Sequence, residues 1–304
     1  MTAEGQAVDD GVWSPARAKL NLYLHITGRR ADGFHLLESL VGFAAIGDVV
    51  SANAAAQLTL AVKGPFAAAL EGTAADDNLV LRAAHALKAL ARTRGIDVSG
   101  AAVTLDKHLP VASGIGGGSA DAAAALHVLA RLWRIDVSLD DLKAIGQTLG
   151  SDIPACVAGR PALMRGAGEI LEAVPALPAA PLVLVNPGIA VPTPPVYKAF
   201  AASGALTHAA RPAPTGPWTS PAALVTALEN TTNDLEPAAI SLCPAIADCL
   251  AALRGQGALL ARMSGSGATC FGVFASEAAA GQAAARIFAD HPRWWSAATS
   301  LIAD

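Results

Sequence analysis

The sequence has no cluster of basic residues. Lysine and arginine number 21 against 25 aspartates and glutamates, so the formal net charge is -4 at pH 7. Proteins that bind nucleic acid present a patch or stripe of lysine and arginine to the phosphate backbone, and this chain contains no such stripe. We therefore expect no nucleic acid among its partners.

The sequence also has few cysteines and lacks a long apolar run. Its four cysteines show neither the paired spacing of a zinc site nor the density of a secreted disulfide scaffold, which favours buried free thiols in a reducing compartment. No uninterrupted apolar run reaches the roughly 18 residues of a membrane span, and residues 1–15 lack the basic and apolar segments of a signal peptide. We expect a cytoplasmic protein that does not associate with membranes. The cysteines are Cys156, Cys243, Cys249 and Cys270.

Apolar residues, by contrast, are abundant. They make up 53% of the 304 residues, which is enough for a sizeable core. A chain of 304 residues is also longer than a single hydrophobic core usually accommodates, so we expect two domains. Glycine and proline become frequent at residues 160–168, and a proline-rich stretch follows at 175–221. This change in composition places the boundary between two predicted domains, at residues 11–165 and 166–304.

Strand and helix patterns occur in both halves. Residues 18–26 alternate strictly, with Lys19, Asn21, Tyr23 and His25 on the polar face, which predicts a strand with one buried side. The first half predicts further strands at 36–52, 57–64 and 100–110, and helices at 76–95, from Ser119 onward, and at 138–152. The second half predicts strands at 181–187, 257–264 and 269–276, and helices at 220–230, 243–256 and 277–291. The fold class is therefore α+β.

The stretch LPVASGIGGGSADAAAAL, residues 109–126, sets a glycine-rich turn directly before an alanine-rich helix. Such a turn lets backbone N–H groups approach a ligand closely, and the helix start adds a partial positive charge, so phosphate is the expected ligand. A tight connection without a ligand is the alternative, although one or two glycines would suffice for it. The spacing does not fit G-x-x-x-x-G-K-[ST], and Ser119 breaks the dinucleotide pattern G-x-G-x-x-G.

The motif P-x-x-x-G-I-G-G-G-S-x-D-A-A at residues 110–123 resembles the phosphate loop of the GHMP kinase superfamily of small-molecule ATP kinases. Within it, AKLNLYLHITGRRADGFHLLESL at 18–40 resembles the opening of the 4-diphosphocytidyl-2-C-methyl-D-erythritol kinase family. GSDIP, VPTP, NDLE and MSGSGATCFGVF follow in that family's order. The resemblance covers residues 14 to about 290.

This resemblance implies both a fold and an activity. The fold is the two-domain GHMP kinase fold, with an N-terminal ribosomal-protein-S5-like domain and a C-terminal ferredoxin-like α/β sandwich. The activity is ATP-dependent phosphorylation of the 2-hydroxyl of 4-diphosphocytidyl-2-C-methyl-D-erythritol, in the non-mevalonate route to isoprenoid precursors. The implied partners are these small molecules, and we expect a monomer or homodimer.

The family resemblance also implies a catalytic pair, Lys19 and Asp152. The carboxylate would take or orient the proton of the hydroxyl, and the ammonium would stabilise it and the moving phosphoryl charge. Without the resemblance, Lys19 reads as a surface lysine. Asp152 also fits the N-cap of a helix that Pro154 would start, and the two roles are compatible.

ATP binding is assigned to the glycine-rich segment and to two residues that flank the nucleotide region in the family pattern. Ser119 could cap the helix, touch the β-phosphate or ligate magnesium, and Asp121 reads as structural. Asn78 also fits a helix cap. Mg²⁺ is implied by the chemistry, since no metal-ligand cluster is evident. The ATP-binding set is Asn78, Lys107, Pro110, Gly114, Ile115, Gly116, Gly117, Gly118 and Ser119.

For the acceptor substrate, the resemblance places the cytosine near ADGFH, with Phe34 stacking on the ring and His35 reading its edge. A tyrosine is common at the position of Phe34 in the family, so stacking is retained and one hydroxyl is lost. Asn21 shares the polar face of Lys19 and would orient it or the substrate. The serine-rich stretch 264–269, which could be only a hairpin turn, lies beside the phosphate loop in the family.

Three other interpretations compete with this one. The chain could be another GHMP kinase, of the homoserine or mevalonate type, although ADGFH would then have no nucleobase to hold. It could be a catalytically inactive nucleotide-binding homologue, since fold does not imply function, but Lys19 and Asp152 are both present. RNA binding through a ribosomal-protein-like fold is disfavoured by the acidic charge balance.

Overall fold

The computed structural model describes residues 11–72, 74, 77–204 and 213–303. Asp76, the first residue of the predicted helix 76–95, lies outside them. In chain order the strands are β1 (Val12–Asn21), β2 (His25–Arg29), β3 (His35–Ala55), β4 (Thr59–Lys63), β5 (Gly100–Asp106), β6 (Ala162–Gly166), β7 (Ile170–Ala173), β8 (Ala180–Asn186), β9 (Leu260–Met263), β10 (Cys270–Val273) and β11 (Trp295–Leu301). The α-helices are α1 (Leu79–Thr93), α2 (Gly117–Leu132), α3 (Leu139–Leu149), α4 (Ile153–Ala158), α5 (Thr193–Ala202), α6 (Pro221–Leu228), α7 (Glu236–Leu242), α8 (Ala245–Gly255) and α9 (Glu277–Asp290).

The chain forms two compact units, and neither is continuous in sequence. Unit 1 contains the residues up to Ala16, Asp48–His108 and Gly118–Ala158, and unit 2 contains Arg17–Gly47, Leu109–Gly117 and Gly159–Asp304. The strands β1 and β3 contribute residues to both units. The predicted domains 11–165 and 166–304 divide the chain at one point, and those bounds remain a prediction.

In unit 1, β5 lies between β4, which is parallel to it, and the end of β3, which is antiparallel to it. The alanine-rich α2 is buried on most of its surface, because side chains this small let neighbouring elements approach closely. The predicted apolar stripe of this helix is confirmed at Leu126 and Leu129, which are fully buried in the core of the unit. Ser138 caps α3 as predicted, and it forms a capping box with Asp141.

In unit 2, the first part of β3 pairs with β2 and β6, and β6 pairs with β7, all antiparallel. The strands β11, β8, β10 and β9 follow one another in the sheet, also antiparallel, and Leu301 of β11 pairs with Ala44 of β3. Side chains from β1, β8 and β10 fill the core, including Leu20, Leu184 and Phe271.

The prediction for residues 18–26 was wrong in two respects. The strand is interrupted, since β1 ends at Asn21 and β2 begins at His25. Its polar face is also buried: Lys19 and Asn21 are each 2% exposed, and Tyr23 is 0% exposed. Alternation showed which side chains share a face, but other segments of unit 2 cover that face.

Two expectations from composition concern thiols and membranes. Cys243, Cys249 and Cys270 are buried thiols as predicted, whereas Cys156 is only partly buried. Within the described ranges, no single helix has the length and apolar character to span a membrane, although the bent pair α7 and α8 meets both criteria when taken together.

Candidate active site

Lys19 lies against the glycine loop, which we define as residues 110–117, within unit 2. Its backbone N–H donates to the carbonyl of Ile115 at 2.9 Å. Gly116 has a φ of +64°, and a Cβ atom at this position would be 3.2 Å from Lys19 Cβ and 3.4 Å from Cε. The absence of a side chain at Gly116 therefore leaves the space that the lysine stem occupies.

Asn21 holds the end of the lysine side chain. Lys19 Nζ donates to Asn21 Oδ1 at 3.2 Å, while Asn21 Nδ2 donates to Ser39 Oγ at 2.7 Å. Ser39 Oγ in turn donates to the carbonyl of Tyr23. Because the serine fixes which end of the amide faces the lysine, Asn21 presents its oxygen to the ammonium.

The serine loop, Ser264–Thr269, lies against the glycine loop and is hydrogen-bonded to it. Ser264 Oγ donates to the carbonyl of Gly114 at 3.0 Å and accepts from the backbone N–H of Asn21 at 3.0 Å. The N–H of Thr269 donates to the carbonyl of Ser113 at 3.0 Å. Gly114 has a φ of +76°, and a Cβ there would come within 2.5 Å of the Ser264 carbonyl oxygen. The expectation that these two segments lie side by side is confirmed, and the hairpin-only alternative is wrong.

Two buried asparagines that sequence reasoning did not assign hold the serine loop. Asn233 Nδ2 donates to the carbonyls of Met263 and Gly265, at 2.8 and 2.7 Å. Asn186 Nδ2 donates to Thr269 Oγ1 at 2.9 Å. The motif NDLE drew attention to the segment of Asn233, but the partners lie far away in the sequence and no local pattern indicates them.

The glycine loop ends at the start of α2, so Gly116 occupies the cap position and Gly117 is the first helical residue. Ser119 lies inside the first turn, so it is not itself the N-cap residue, and the roles given for its hydroxyl remain predictions. Pro110 is buried, and its carbonyl accepts from Ser113 Oγ at 2.7 Å. Ile115 is 0% exposed, so its side chain anchors the loop in the core and only its backbone remains for a ligand.

Asp152 belongs to unit 1 and immediately precedes α4. Its carbonyl accepts from the N–H of Cys156 at 3.2 Å, so its backbone begins the helix as expected of a cap position. The residue is partly exposed. Lys19 lies in unit 2, and the pairing of these two side chains remains a prediction.

Lys107, which is predicted to bind ATP, is 2% exposed, and its role towards ATP remains a prediction. Its ammonium donates to Asp48 Oδ2 at 2.5 Å and to Asp121 Oδ2 at 2.7 Å, within unit 1. Burial by itself lowers the pKa of Lys107, but Asp121 and Asp48 outweigh that effect and raise it. Burial also raises the pKa of Asp121 to about 7, an effect that Lys107 opposes and Asp48 reinforces. The structural interpretation of Asp121 is confirmed, whereas Asp48 was not foreseen.

Asn78 is the N-cap of α1, and its side chain accepts from the N–H of Val80 at 2.9 Å. This confirms the interpretation of Asn78 as a helix cap, and its role towards ATP remains a prediction.

Of the two residues expected to bind a nucleobase, His35 belongs to an aromatic group in unit 2, whereas Phe34 is exposed. Phe34 is 64% exposed, whereas His35 is 9% exposed. The His35 ring packs against Tyr197 and Phe200 of α5, with ring centroids 5.2 and 5.8 Å away. Its Nε2 is buried without a hydrogen-bond partner among the described residues. Burial, assisted by Arg29, lowers the pKa of His35, so at neutral pH it is an uncharged group with one unused polar atom.

Comparison with known families agrees with this geometry. The description "GHMP kinases N terminal domain" matches residues 78–160, and "GHMP kinases C terminal" matches residues 213–292. The chain is 55% identical to a 4-diphosphocytidyl-2-C-methyl-D-erythritol kinase of Cereibacter sphaeroides, over 94% of this chain and 98% of that protein. It is 51% identical to the kinase of the same name from Paracoccus denitrificans, over 94% of this chain and 95% of that protein.

Solved structures give the same result for the fold. A crystal structure of 4-(cytidine 5'-diphospho)-2C-methyl-D-erythritol kinase matches with a TM-score of 0.73 and 32% identity, covering 96% of this chain and all of that one. Homoserine kinase from Cytophaga hutchinsonii matches with a TM-score of 0.66 at 18% identity, over 99% of this chain and 98% of that one. At that identity the second likeness concerns the fold alone.

Proposed function

The chain belongs to the 4-diphosphocytidyl-2-C-methyl-D-erythritol kinases, a family of GHMP kinases, and we infer from this the roles of its site residues. It has the α+β GHMP kinase fold, and it is an ATP-dependent phosphotransferase that phosphorylates the 2-hydroxyl of 4-diphosphocytidyl-2-C-methyl-D-erythritol. This reaction belongs to the non-mevalonate route to isoprenoid precursors. The cytoplasmic location and the state of monomer or homodimer remain predictions.

The contact between Lys19 and Gly116 is the observation that carries the proposed mechanism. Phosphoryl transfer needs positioning and charge neutralisation more than covalent chemistry. In the proposal, backbone N–H groups of Gly116, Gly117 and Gly118 hold the phosphates of ATP at the start of α2. Because the Lys19 stem lies against Gly116, its ammonium is positioned to stabilise charge on the transferring phosphoryl group.

Asp152 completes the proposed chemistry as the group that receives or orients the proton of the acceptor hydroxyl. Its position at the start of α4 is compatible with this role, because a cap uses the backbone and one carboxylate oxygen at most. Asn21, which presents its oxygen to the Lys19 ammonium, is proposed to orient that lysine.

Phe34 and His35 are proposed to bind the cytosine ring of the acceptor. An exposed aromatic face offers stacking to a base. The buried, unpartnered Nε2 of His35 can accept from or donate to the polar edge of that base. Tyr197, which packs on His35, would keep the imidazole in place.

Magnesium enters the proposal as the counterion of the ATP phosphates. Among the residues that the structure describes, no group of three or more His, Cys, Asp or Glu side chains could hold a metal ion. Magnesium keeps several waters and rests on substrate phosphates with one or two protein ligands, so a site without an acidic cluster fits it. Ser119, in the first turn of α2, is the side chain proposed to contact the ion or the β-phosphate. The bound ion would neutralise charge on the phosphates during transfer.

The experiment that tests the proposed roles is steady-state kinetics of Lys19→Met and Asp152→Asn, following ADP release with ATP, magnesium and the cytidyl acceptor. Both groups are proposed to act mainly in the transition state, so kcat should fall by about 10²- to 10⁴-fold with little change in substrate binding. The double variant should lose little more than either single one, because both groups act on the same transfer.

Matched controls come from exposed residues of the same types. Lys63→Met removes an ammonium whose side chain is 65% exposed, and Asp140→Asn removes a carboxylate whose side chain is 90% exposed. Both should keep the parental kcat. A folded Asp152→Asn enzyme that binds both substrates and turns over within a few-fold of the parent would leave Asp152 as a helix cap only. ADP release with homoserine or mevalonate, and none with the cytidyl compound, would contradict the substrate assignment.

A further inference from the structure

Three buried ionisable groups lie close to the two ends of the chain segment that contains the glycine loop. Lys107 follows β5, Asp121 lies in α2, and Asp48 lies in β3, all within unit 1. Their side chains are 3%, 4% and 0% exposed. We call Asp48, Lys107 and Asp121 the ion cluster.

Hydrogen bonds of the ion cluster connect three elements of the fold. The Lys107 ammonium joins Asp48 Oδ2 and Asp121 Oδ2. The other oxygen of Asp48 accepts from the backbone N–H of His108 at 2.5 Å. As a result, the chain entering the loop at residues 107–108 is tied to β3, and the first turns of α2 are tied to the end of β5. Charge-assisted hydrogen bonds, which are short and directional, therefore hold the chain on both sides of residues 109–120.

Stability alone is a weak explanation for this arrangement. Moving ionisable groups out of water costs much of what their attraction returns, and apolar side chains of similar volume often serve equally well. The ion cluster is also not fully satisfied, because Asp121 Oδ1 is buried with no hydrogen-bond partner among the described residues. A polar group left in this state lowers stability. What the cluster does provide is a fixed geometry between the end of β5 and the start of α2.

We propose that Asp48, Lys107 and Asp121 are positioning residues that fix the glycine loop for ATP, and that Lys107 acts through the two carboxylates without touching the nucleotide. The proposal rests on ATP being the ligand of the glycine loop. Functional loops need support from residues around them, since small displacements of backbone N–H groups weaken every bond to the phosphates. Asp48 and Asp121 provide that support through their hydrogen bonds to Lys107.

The test compares Asp121→Ala, Asp121→Asn and Lys107→Met with the parent protein. ATP binding is measured by calorimetry without any acceptor, and KM for ATP and for the acceptor is measured with kcat. Residues that act on a ligand through others typically change its affinity by about 2- to 30-fold. We expect Asp121→Ala and Lys107→Met to raise the Kd and KM for ATP within that range, with the acceptor KM unchanged. Asp121→Asn keeps an oxygen that accepts from Lys107, so it should restore most of the ATP affinity.

The matched control is Asp141→Ala, which breaks the capping box of α3 and the ion pair with Arg94 in the same unit. It should lower the melting temperature without changing ATP affinity. Hydrogen exchange of residues 109–117 should accelerate in Asp121→Ala and stay parental in Asp141→Ala.

Four results would overturn the proposal. Parental ATP affinity in folded Asp121→Ala would remove Asp121 from any positioning role. Weakened ATP binding in Lys107→Met but not in Asp121→Ala would mean that Lys107 contacts the nucleotide directly. Equal losses of ATP affinity in Asp121→Ala and Asp141→Ala would mean that the effect comes from lower stability alone. If Lys107→Met does not fold, the comparison of the Asp121 and Asp141 variants decides the test. A parent protein that binds no ATP would also overturn it, whereas one that binds ATP but phosphorylates none of the acceptors contradicts only the proposed function.

Discussion

Replacing Gly114 with alanine tests whether the glycine loop and the serine loop depend on each other. Gly114 has a φ of +76°, in the left-handed region that L-residues rarely adopt. An alanine Cβ there would lie 2.5 Å from the Ser264 carbonyl oxygen, and 2.6 and 2.7 Å from the backbone O and N of Gly267. These are backbone atoms, so they cannot rotate away as the end of a side chain could.

The expected loss of stability has two parts. The left-handed conformation costs an alanine about 1–2 kcal/mol, and overpacking of a tight contact adds about 1–3 kcal/mol, for a total of about 2–5 kcal/mol. An ordinary contact of about 3.5 Å requires one of the two loops to move by about 1 Å. A displacement of that size beside the reacting groups can lower the rate by about 10²-fold, so we expect a large loss of kcat/KM for ATP.

Gly257→Ala is the control that isolates the conformational part. Gly257 is in the same unit with a φ of +84°, and a Cβ there would have nothing within 4 Å. The Gly257→Ala variant should lose only about 1–2 kcal/mol of unfolding free energy and keep the parental kinetics. Urea unfolding curves give both free energies, provided that the m-value stays constant. Equal losses in the two variants, or parental kcat/KM in Gly114→Ala, would refute the close contact between the loops.

Two further predictions concern the base pocket and the dependence of stability on pH. Phe34→Ala should remove about 1–3 kcal/mol of stacking free energy and so raise KM for the cytidyl acceptor far more than KM for ATP. Phe34→Tyr should leave both constants nearly unchanged. Equal rises in both constants would place the cytosine elsewhere. The hydrogen bond from Arg94 is the largest cause that lowers the pKa of Asp141 to about 2, so this carboxylate stabilises the fold above its unfolded pKa of about 3.9 and loses that contribution as the pH falls towards 2. Urea midpoints from pH 2 to 5 should therefore fall less steeply for Asp141→Asn than for the parent, and identical slopes would contradict the assignment.

The glycine loop could be predicted from the sequence because its identity is encoded locally. Gly114 and Gly116 adopt positive φ, which few other residues tolerate, and the alanine run after them can only form a helix. The capping serine of α3 was found for the same reason, since Ser138 and Asp141 are three residues apart. In each case the residues that cause the structure are neighbours in the chain.

The supports of the loops could not be predicted, because their partners are distant in sequence. Asn233 reaches carbonyls of the serine loop, and Tyr197 of α5 reaches His35 at the start of β3. Asp48 is a partial exception. It is an aspartate inside a long apolar strand, 0% exposed, and a buried carboxylate requires a cationic or hydrogen-bonded partner. Asp48 was not foreseen, and although its position implies a partner, the sequence does not show which lysine supplies it.

The burial of Lys19 shows how tertiary contacts change the meaning of a sequence pattern. Strict alternation placed Lys19 on a polar face, and a polar face of an isolated strand is normally turned to water. Here the backbone of Ile115 and the missing side chain of Gly116 let the glycine loop cover it, so the residue is 2% exposed. An ammonium with so little water around it interacts more strongly with a phosphoryl charge than an exposed one would, because the effective dielectric constant is lower. If the glycine loop holds ATP as proposed, the residue that the pattern marked as a surface lysine acts on the phosphates from a buried position, and a residue larger than glycine at position 116 would displace the lysine stem.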